Sequence, residues 1–373
     1  MEVIFFLFLF LSVYPYFIFP VVTYIMSRFW GSSWLQRDLL SRVTIIISVY
    51  NEERVIEGKI KNALLLKYLQ ELIEIIVISD GSNDRTNEIV LGFKDPRVVL
   101  MAFPKRSGKT ACLNRVVPKA KGDIVLFTDA NAMFPSNMLT KLVRNFNDKK
   151  VGLVTGWTKY MKAGNEGEAT GIYSRFEKMT KYWESLVSSC VGADGAIFAI
   201  RKALYKPLED DDINDFVTPL QVISQGKRVV LDPEVFCFEE QSEGEGGEYH
   251  RQARITNRTL RAIFRNPGVL NPFSYGYFSF FLLSHKLFRF LVPFFVAGTF
   301  LANLYLLKVS PIYIGLILIQ LLFLGLGLAN ILGKVEGRVT DICKFFLITL
   351  SAQLTGWIRM VRGVSDTMWT PQR

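Results

Sequence analysis

The sequence predicts an α/β fold: a parallel sheet with helices packed on it, set between apolar helices at the two ends of the chain. Three observations carry this. Short β-branched runs alternate with helix-period segments from residue 43 to about residue 265. One run, Ile124-Val125-Leu126-Phe127-Thr128, stops at an acidic turn, Asp129-Ala130-Asn131. Half of the 373 residues are apolar, and that excess sits at the ends while the middle has ordinary soluble composition. Strands alternating with helices imply βαβ units joined by right-handed crossovers. In open sheets of this kind, ligands bind beyond the carboxyl ends of the strands. Asp129 stands at such an end. A carboxylate there can hold a divalent metal, and the metal can neutralise a diphosphate. The plainer reading of Asp129 is a turn or cap residue.

Residues 3–26 are apolar apart from Ser12, Thr23 and a few tyrosines and prolines, which is long enough to cross a bilayer. The start, Met1-Glu2, lacks a basic stretch, and Pro15 and Pro20 interrupt the run, so residues 1–27 read as a retained helix rather than a cleaved signal peptide. Arg28, Arg37 and Arg42 follow, and positive charge stays inside. That predicts a multi-pass plasma-membrane protein whose central domain, residues 40–266, is cytoplasmic.

Within that domain the expected strands are 43–49, 73–79, 98–101, the run ending at Asp129, 151–156 and 228–231. The expected helices are 53–66, 84–93, 110–117, 171–187, 216–224 and 249–264. Residues 239–248 read as a Gly/Glu-rich loop. Residues 272–283 are aromatic-rich and lead into His285, Lys286 and Arg289, which suits an interfacial helix over 272–289. Residues 290–362 then hold two to three spans, the third diluted by Lys344, Thr349, Ser351 and Gln353.

Composition narrows the chemistry. The net charge of +10 comes without a zinc-knuckle, RNP or recognition-helix pattern, so nucleic acid is not the expected partner. Anionic membrane lipids and a nucleotide diphosphate fit it better. The four cysteines have no metal-ligand spacing and read as free thiols in reducing surroundings. Two histidines leave little room for histidine-based catalysis.

Four groups of residues end strands on one side of the predicted sheet: Tyr50-Asn51-Glu52-Glu53, Ser79-Asp80-Gly81-Ser82-Asn83-Asp84, Lys105-Arg106-Ser107-Gly108-Lys109, and Asp129-Ala130-Asn131. Tyr50 offers a stacking face for a base. Asp80 can accept from a base N–H or a ribose hydroxyl, and Lys109 can meet a phosphate. Taken singly, Asn51 and Asp84 read as helix caps, Gly81 as a turn and Lys109 as a surface charge. Together, at successive strand ends, they point to a nucleotide-diphosphate site.

These motifs, with Lys-x-x-Gly-Lys-Thr-Ala-x-Leu-Asn, resemble the family 2 glycosyltransferases of the GT-A fold over about residues 43–265. The flanking apolar helices resemble the membrane-embedded branch, the synthases of cellulose, chitin, hyaluronan and poly-N-acetylglucosamine. The resemblance implies a Rossmann-like nucleotide-diphospho-sugar transferase domain. Tyr50, Asn51, Glu52 and Asp80 would hold the uridine, with Lys109 near the diphosphate. Asp129 would open an Asp-x-Asp motif for Mg2+ or Mn2+. Asn131 departs from that pattern; its carbonyl can ligate the metal but brings no charge.

In the acidic cluster Glu209-Asp210-Asp211-Asp212-Ile213-Asn214-Asp215, the plain reading is a solvated loop capping the next helix through Asp215. The resemblance implies that Asp215 is the catalytic base, with Asn214 replacing the first acid of the family's pair. Single displacement with one base would invert an α-linked donor to a β-linkage. Asp194, flanked by Gly192 and Gly195, reads either as a turn or as an acceptor-sugar contact. Arg251, Arg254, Arg258 and Arg261 fall on one helix face, suited to anionic lipid. They lie where the family has Gln-x-x-Arg-Trp. Arg254 matches the arginine and would neutralise the leaving UDP, Arg251 takes the glutamine position beside the nucleotide, and Ile255 replaces the tryptophan.

The expected function is therefore an inverting glycosyltransferase that passes a sugar from a UDP-sugar, UDP-GlcNAc or UDP-Glc, to a growing β-linked polysaccharide at the membrane. One alternative is single transfer to a lipid carrier or lipid-linked glycan. Another is a non-catalytic nucleotide-sugar-binding subunit. The sugar, the linkage and the oligomeric state are left open by the sequence.

Overall fold

In a computed structural model the described residues are 1–161, 171–240 and 245–365. They fall into two compact units. One contains the described residues of Thr23–Glu243 and Arg265–Phe281; the other contains those of Met1–Val22, Gly244–Phe264 and Leu282–Ser365.

The first unit is built on a seven-stranded sheet of order β3-β2-β1-β4-β6-β5-β7. The strands are β1 (Val43–Val49), β2 (Ile73–Asp80), β3 (Val98–Phe103), β4 (Ile124–Asp129), β5 (Val151–Met161), β6 (Phe198–Arg201) and β7 (Arg228–Glu240). Every residue of β1 and β2 is buried. That is why both read as unbroken Ile/Val runs rather than as alternating ones: both faces are covered. The helices are α1 (Ile56–Leu64), α2 (Thr86–Gly92), α3 (Lys109–Val116), α4 (Met138–Val143), α5 (Ile172–Val187) and α6 (Asn214–Ser224). Ile56, Ile60 and Ala63 of α1 pack on Val43, Ile45 and Ile47 in the main core.

The expected all-parallel sheet needs one correction. β3, β2, β1 and β4 are parallel, but β6 runs antiparallel to both β4 and β5. An apolar run of four residues carries no mark of its direction, so the sequence could not show this. The reversal matters for the site. Phe198, the first residue of β6, pairs with Phe127 near the carboxyl end of β4. The residues just before it therefore emerge at the same edge as Asp129. β5 and β7 also run five and nine residues past their expected ends, to Met161 and Glu240.

Among the described residues, three helices are long and apolar enough to cross a membrane by length and composition: Glu2–Phe29, Tyr277–Leu306 and Ile312–Ile331. The second is continuous where the sequence suggested a break at residue 290. A π-helical turn, Leu283–Leu287, lies within it, and Ser284 and His285 there are buried. In the second unit the Glu2 carboxylate accepts from the Tyr313 hydroxyl at 2.9 Å. The basic helix Glu245–Arg265 packs on Arg338–Val361: the Tyr249 and Thr355 hydroxyls lie 2.6 Å apart, and Asn257 donates to the Val364 carbonyl at 3.0 Å. Of the expected 239–248 loop, residues 241–244 lie outside the described residues.

Candidate active site

The loops after β1 and β2 are tied to each other. Asn51 has φ +54°, the only such non-glycine among the described residues, and this turns the chain so that both its ends can pair. Its N–H donates to Ser82 Oγ at 3.1 Å, and its side-chain carbonyl accepts from the Asn83 N–H at 2.9 Å. The Glu52 N–H donates to Thr86 Oγ1 at 2.8 Å, and the Glu53 N–H to Asp84 at 3.1 Å. Burial alone would raise the Asp84 carboxyl, but hydrogen bonds from Thr86 and Glu53 hold it below its ordinary value. Spending residues 51–55 in this lock delays α1 to Ile56, three residues after its expected start.

Asp80 carries the third loop. Its two carboxylate oxygens accept from the Ser107 N–H at 2.6 Å and the Gly108 N–H at 3.0 Å. The loop from Lys105 can approach only because residue 81 is glycine: φ is +71°, and a Cβ there would lie 2.8 Å from the Arg106 nitrogen. The Arg106 guanidinium covers the Tyr50 ring at 3.7 Å, the face expected to stack a base. A small crevice at this strand edge is lined by Tyr50, Asp80, Arg106 and Lys109 among others.

Lys109 opens α3 and pairs with Asp129 at 2.7 Å; both side chains are about a quarter exposed. Asn131, two residues on, is half-buried. No cluster of three or more His, Cys, Asp or Glu side chains able to hold a metal exists among the described residues. The donor set fits a divalent ion nevertheless. One carboxylate and one amide carbonyl leave the rest of an octahedron to diphosphate and water, the usual arrangement for magnesium and manganese at such sites.

On the far side of β4 stand Asp194 and Asp215. The antiparallel β6 brings the Gly192–Ala196 loop against the first turn of α6, where the Ala193 N–H donates to the Asp215 carbonyl at 2.7 Å. A Cβ at Gly195 would lie 2.9 Å from Asp215 Oδ2, so only glycine admits the carboxylate there. Asp194 accepts from the Thr158 N–H at 2.8 Å, from the Thr158 hydroxyl and from the Ala196 N–H at 3.1 Å. Those bonds hold the loop to β5. Asp215 is different. α6 begins at Asn214 with no side-chain cap, so the expected capping role is unused. Its Oδ1 is buried without a hydrogen-bond partner, as are Asn214 Nδ2 and Thr218 Oγ1 nearby. Burial pushes the Asp215 carboxyl above its ordinary value; Lys109 and Lys181 pull it back, while Asp194 and Asp129 add to the rise. Burial raises Asp194 as well, against Lys181 and the bonds from Ala196 and Thr158.

Within the acidic cluster, Asp211 and Asp212 are anchored rather than loose. Arg265 grips Asp211 and Asp212 at 2.8 Å each, and Thr110 donates to the Asp212 carbonyl at 2.9 Å. Arg251 and Arg254 lie on Glu245–Arg265 within the other unit, and their assignment rests on the motif alone. Sequence reasoning placed Arg106 at the site without its stacking on Tyr50, and it missed Arg265 and above all Lys59. Lys59 is fully buried, and burial brings its ammonium down to about 7 against the pull of Cys237, Asp129 and Glu239. The signal was present: Ile56, Lys59, Ile60 and Ala63 share one helix face, so the lysine sits among core positions.

Residues 44–207 match the family model described as Glycosyl transferase family 2. The chain is 27% identical over 237 residues to a poly-beta-1,6-N-acetyl-D-glucosamine synthase of Staphylococcus aureus, covering 61% of this chain and 57% of that one. It is 27% identical over 222 residues to the probable glycosyltransferase YdaM of Bacillus subtilis, covering 55% and 52%. The matched stretch thus spans about half the length of these curated relatives. A solved structure, the mannosyltransferase PcManGT from Pyrobaculum calidifontis in complex with GDP-Man and Mn2+, has a TM-score of 0.73 at 20% identity, covering 96% of this chain and 98% of that one. That likeness shows the GT-A fold.

Proposed function

We propose, from the premise that residues 44–207 are a glycosyl transferase family 2 domain, that the chain is an inverting hexosyltransferase. It would pass a sugar from a UDP-sugar to a growing β-linked polysaccharide at the plasma membrane, with the sheet unit in the cytoplasm. The observation that carries this is Asp215, whose Oδ1 is buried and unpartnered at the edge that also holds Asp129 and Lys109. A carboxyl with a raised pKa and one free oxygen is suited to take a proton from an acceptor hydroxyl.

As that proton passes to Asp215, the hydroxyl oxygen bonds to the anomeric carbon. The bond from that carbon to the diphosphate breaks, and UDP leaves with the electron pair. One displacement turns an α-linked donor into a β-linked product. Lys109 exchanges Asp129 for the diphosphate and offsets its charge. Asp129 and Asn131 would hold magnesium or manganese, which would supply further neutralisation of the diphosphate. Tyr50, Asn51 and the buried Glu52 would hold the nucleoside, with Asp80 beside them acting chiefly by holding the Lys105–Lys109 loop.

The similarity to a poly-N-acetylglucosamine synthase makes UDP-GlcNAc the first donor to test and UDP-glucose the second. Ile255, where processive enzymes of the resembling family carry tryptophan, favours a second reading: one sugar moved to a lipid carrier or lipid-linked glycan. UDP release is measured from the full chain in lipid nanodiscs over a panel of UDP-sugars, with metal and with chelator, and the product is sized. Metal-dependent release from one donor supports the transferase, and an extended product selects the polymerase. A single added sugar selects the second reading. No release with any donor, lipid or oligosaccharide acceptor points to the non-catalytic reading.

A further inference from the structure

A buried lysine needs a reason. Taking an ammonium out of water costs several kcal/mol unless it is paired, and a methionine would fill the space without that cost. Lys59 is 0% exposed. Its ammonium donates to Thr128 Oγ1 at 3.0 Å and to the Ala132 carbonyl, and it lies 3.5 Å from the Phe134 ring centre. These three contacts use its donors on residues that bracket Asp129–Asn131 on both sides. Asn62, nearly one turn further along α1, continues the grip. Its side chain donates to the Phe134 carbonyl at 2.9 Å and accepts from the Phe134 N–H at 2.8 Å. The opposite side of the turn is held by main chain: Met133 and Phe238 exchange N–H···O bonds of 2.8 Å in both directions. The turn is thus fixed at residues 128, 132, 133 and 134, and the Asp129 and Asn131 side chains are what it leaves for a ligand.

We infer that Lys59, with Asn62, is a positioning residue of the donor site: α1 holds the Asp129-Ala130-Asn131 turn in the form that presents a carboxylate and an amide carbonyl to a divalent ion. This rests on the reading of Asp129 and Asn131 as the metal's ligands. Charge and shape act in opposite directions here. The ammonium behind Asp129 opposes a dication, so loss of the charge alone would tighten metal binding. Loss of the turn's shape would weaken it.

The test is Mn2+ titration of the full chain in nanodiscs, read by the electron paramagnetic resonance signal of free Mn2+, with Tm measured beside it. Lys59→Met and Asn62→Ala should each weaken Mn2+ by about tenfold or more, the range seen when outer partners of metal ligands are removed. Ile60→Val, buried on the same helix, should lower Tm and leave Mn2+ affinity unchanged. If Lys59→Met does not fold, Asn62→Ala carries the test, because its charge does not change. Mn2+ binding as tight as wild type, or tighter, in the folded variants overturns the proposal. Wild-type protein that binds no Mn2+ overturns the metal reading itself and the proposal with it.

Discussion

On the β1–β2 side of the sheet edge, the groups a donor would meet already have partners, Tyr50 with Arg106 and Lys109 with Asp129, on a loop that Asp80 holds through the Ser107 and Gly108 N–H groups. On the α6 side, Asn214 Nδ2, Asp215 Oδ1 and Thr218 Oγ1 are buried with none. The difference separates two ways of preparing a site. The donor half keeps its shape by letting its own side chains stand in for the ligand. On the proposed function, donor binding would exchange one partner for another. The α6 side, the proposed acceptor half, carries buried polar atoms without hydrogen-bond partners among the described residues, and Lys109 and Lys181 offset the burial of Asp215 only in part; such places are where catalytic groups are found.

The comparison breaks first at Asp215. Asp215→Asn should lower kcat by about 10³-fold, within the range for a lost general base. It should also raise Tm. The folded-state pKa of Asp215 is raised, so the carboxyl opposes folding once pH exceeds its unfolded value, and the amide removes that penalty. The same shift sets the pH profile. Activity needs the deprotonated base, so kcat is lost as pH falls through a midpoint above the ordinary aspartate value of about 3.9.

On the donor side, Asp129→Asn frees Lys109 and removes the only carboxylate of the turn. A fall of about 10²-fold in kcat/KM is expected, typical of a lost charge-stabilising group. Arg254→Ala should cost about tenfold in kcat by steady-state UDP release if the arginine offsets the leaving diphosphate, as the motif implies. The gentlest change is Asn131→Asp. A second carboxylate should lower the metal concentration for half-maximal activity by several-fold, since ligand charge sets affinity at such sites. If Asn131→Asp instead leaves the metal requirement unchanged, the turn does not use residue 131 as a ligand.

The sequence made the donor half legible because its motifs lie at strand ends that hydrophobic runs announce. The apolar runs 43–49, 73–79 and the one that stops at Asp129 match β1, β2 and β4. The acceptor half was harder. The four residues of β6 do not reveal their direction, yet its reversal carries the Asp194 loop to Asp215. The sequence points to Asp80 as a ligand contact; its hydrogen bonds add that this carboxylate also shapes the Lys105–Lys109 loop. Arg106 and Arg265 act through partners distant in sequence, which periodicity does not reveal. Lys59 differs, since its place on the apolar face of α1 was visible and only its partners were not.

The measurement that bears most directly on Asp215 pairs catalysis with binding in one variant. UDP-sugar affinity and kcat would be determined for wild type and Asp215→Asn in nanodiscs with metal present. The account predicts donor affinity within about twofold of wild type and kcat down by about 10³-fold, the signature of an interaction made only in the transition state. A variant that retains wild-type kcat would contradict the assignment of Asp215 as the base.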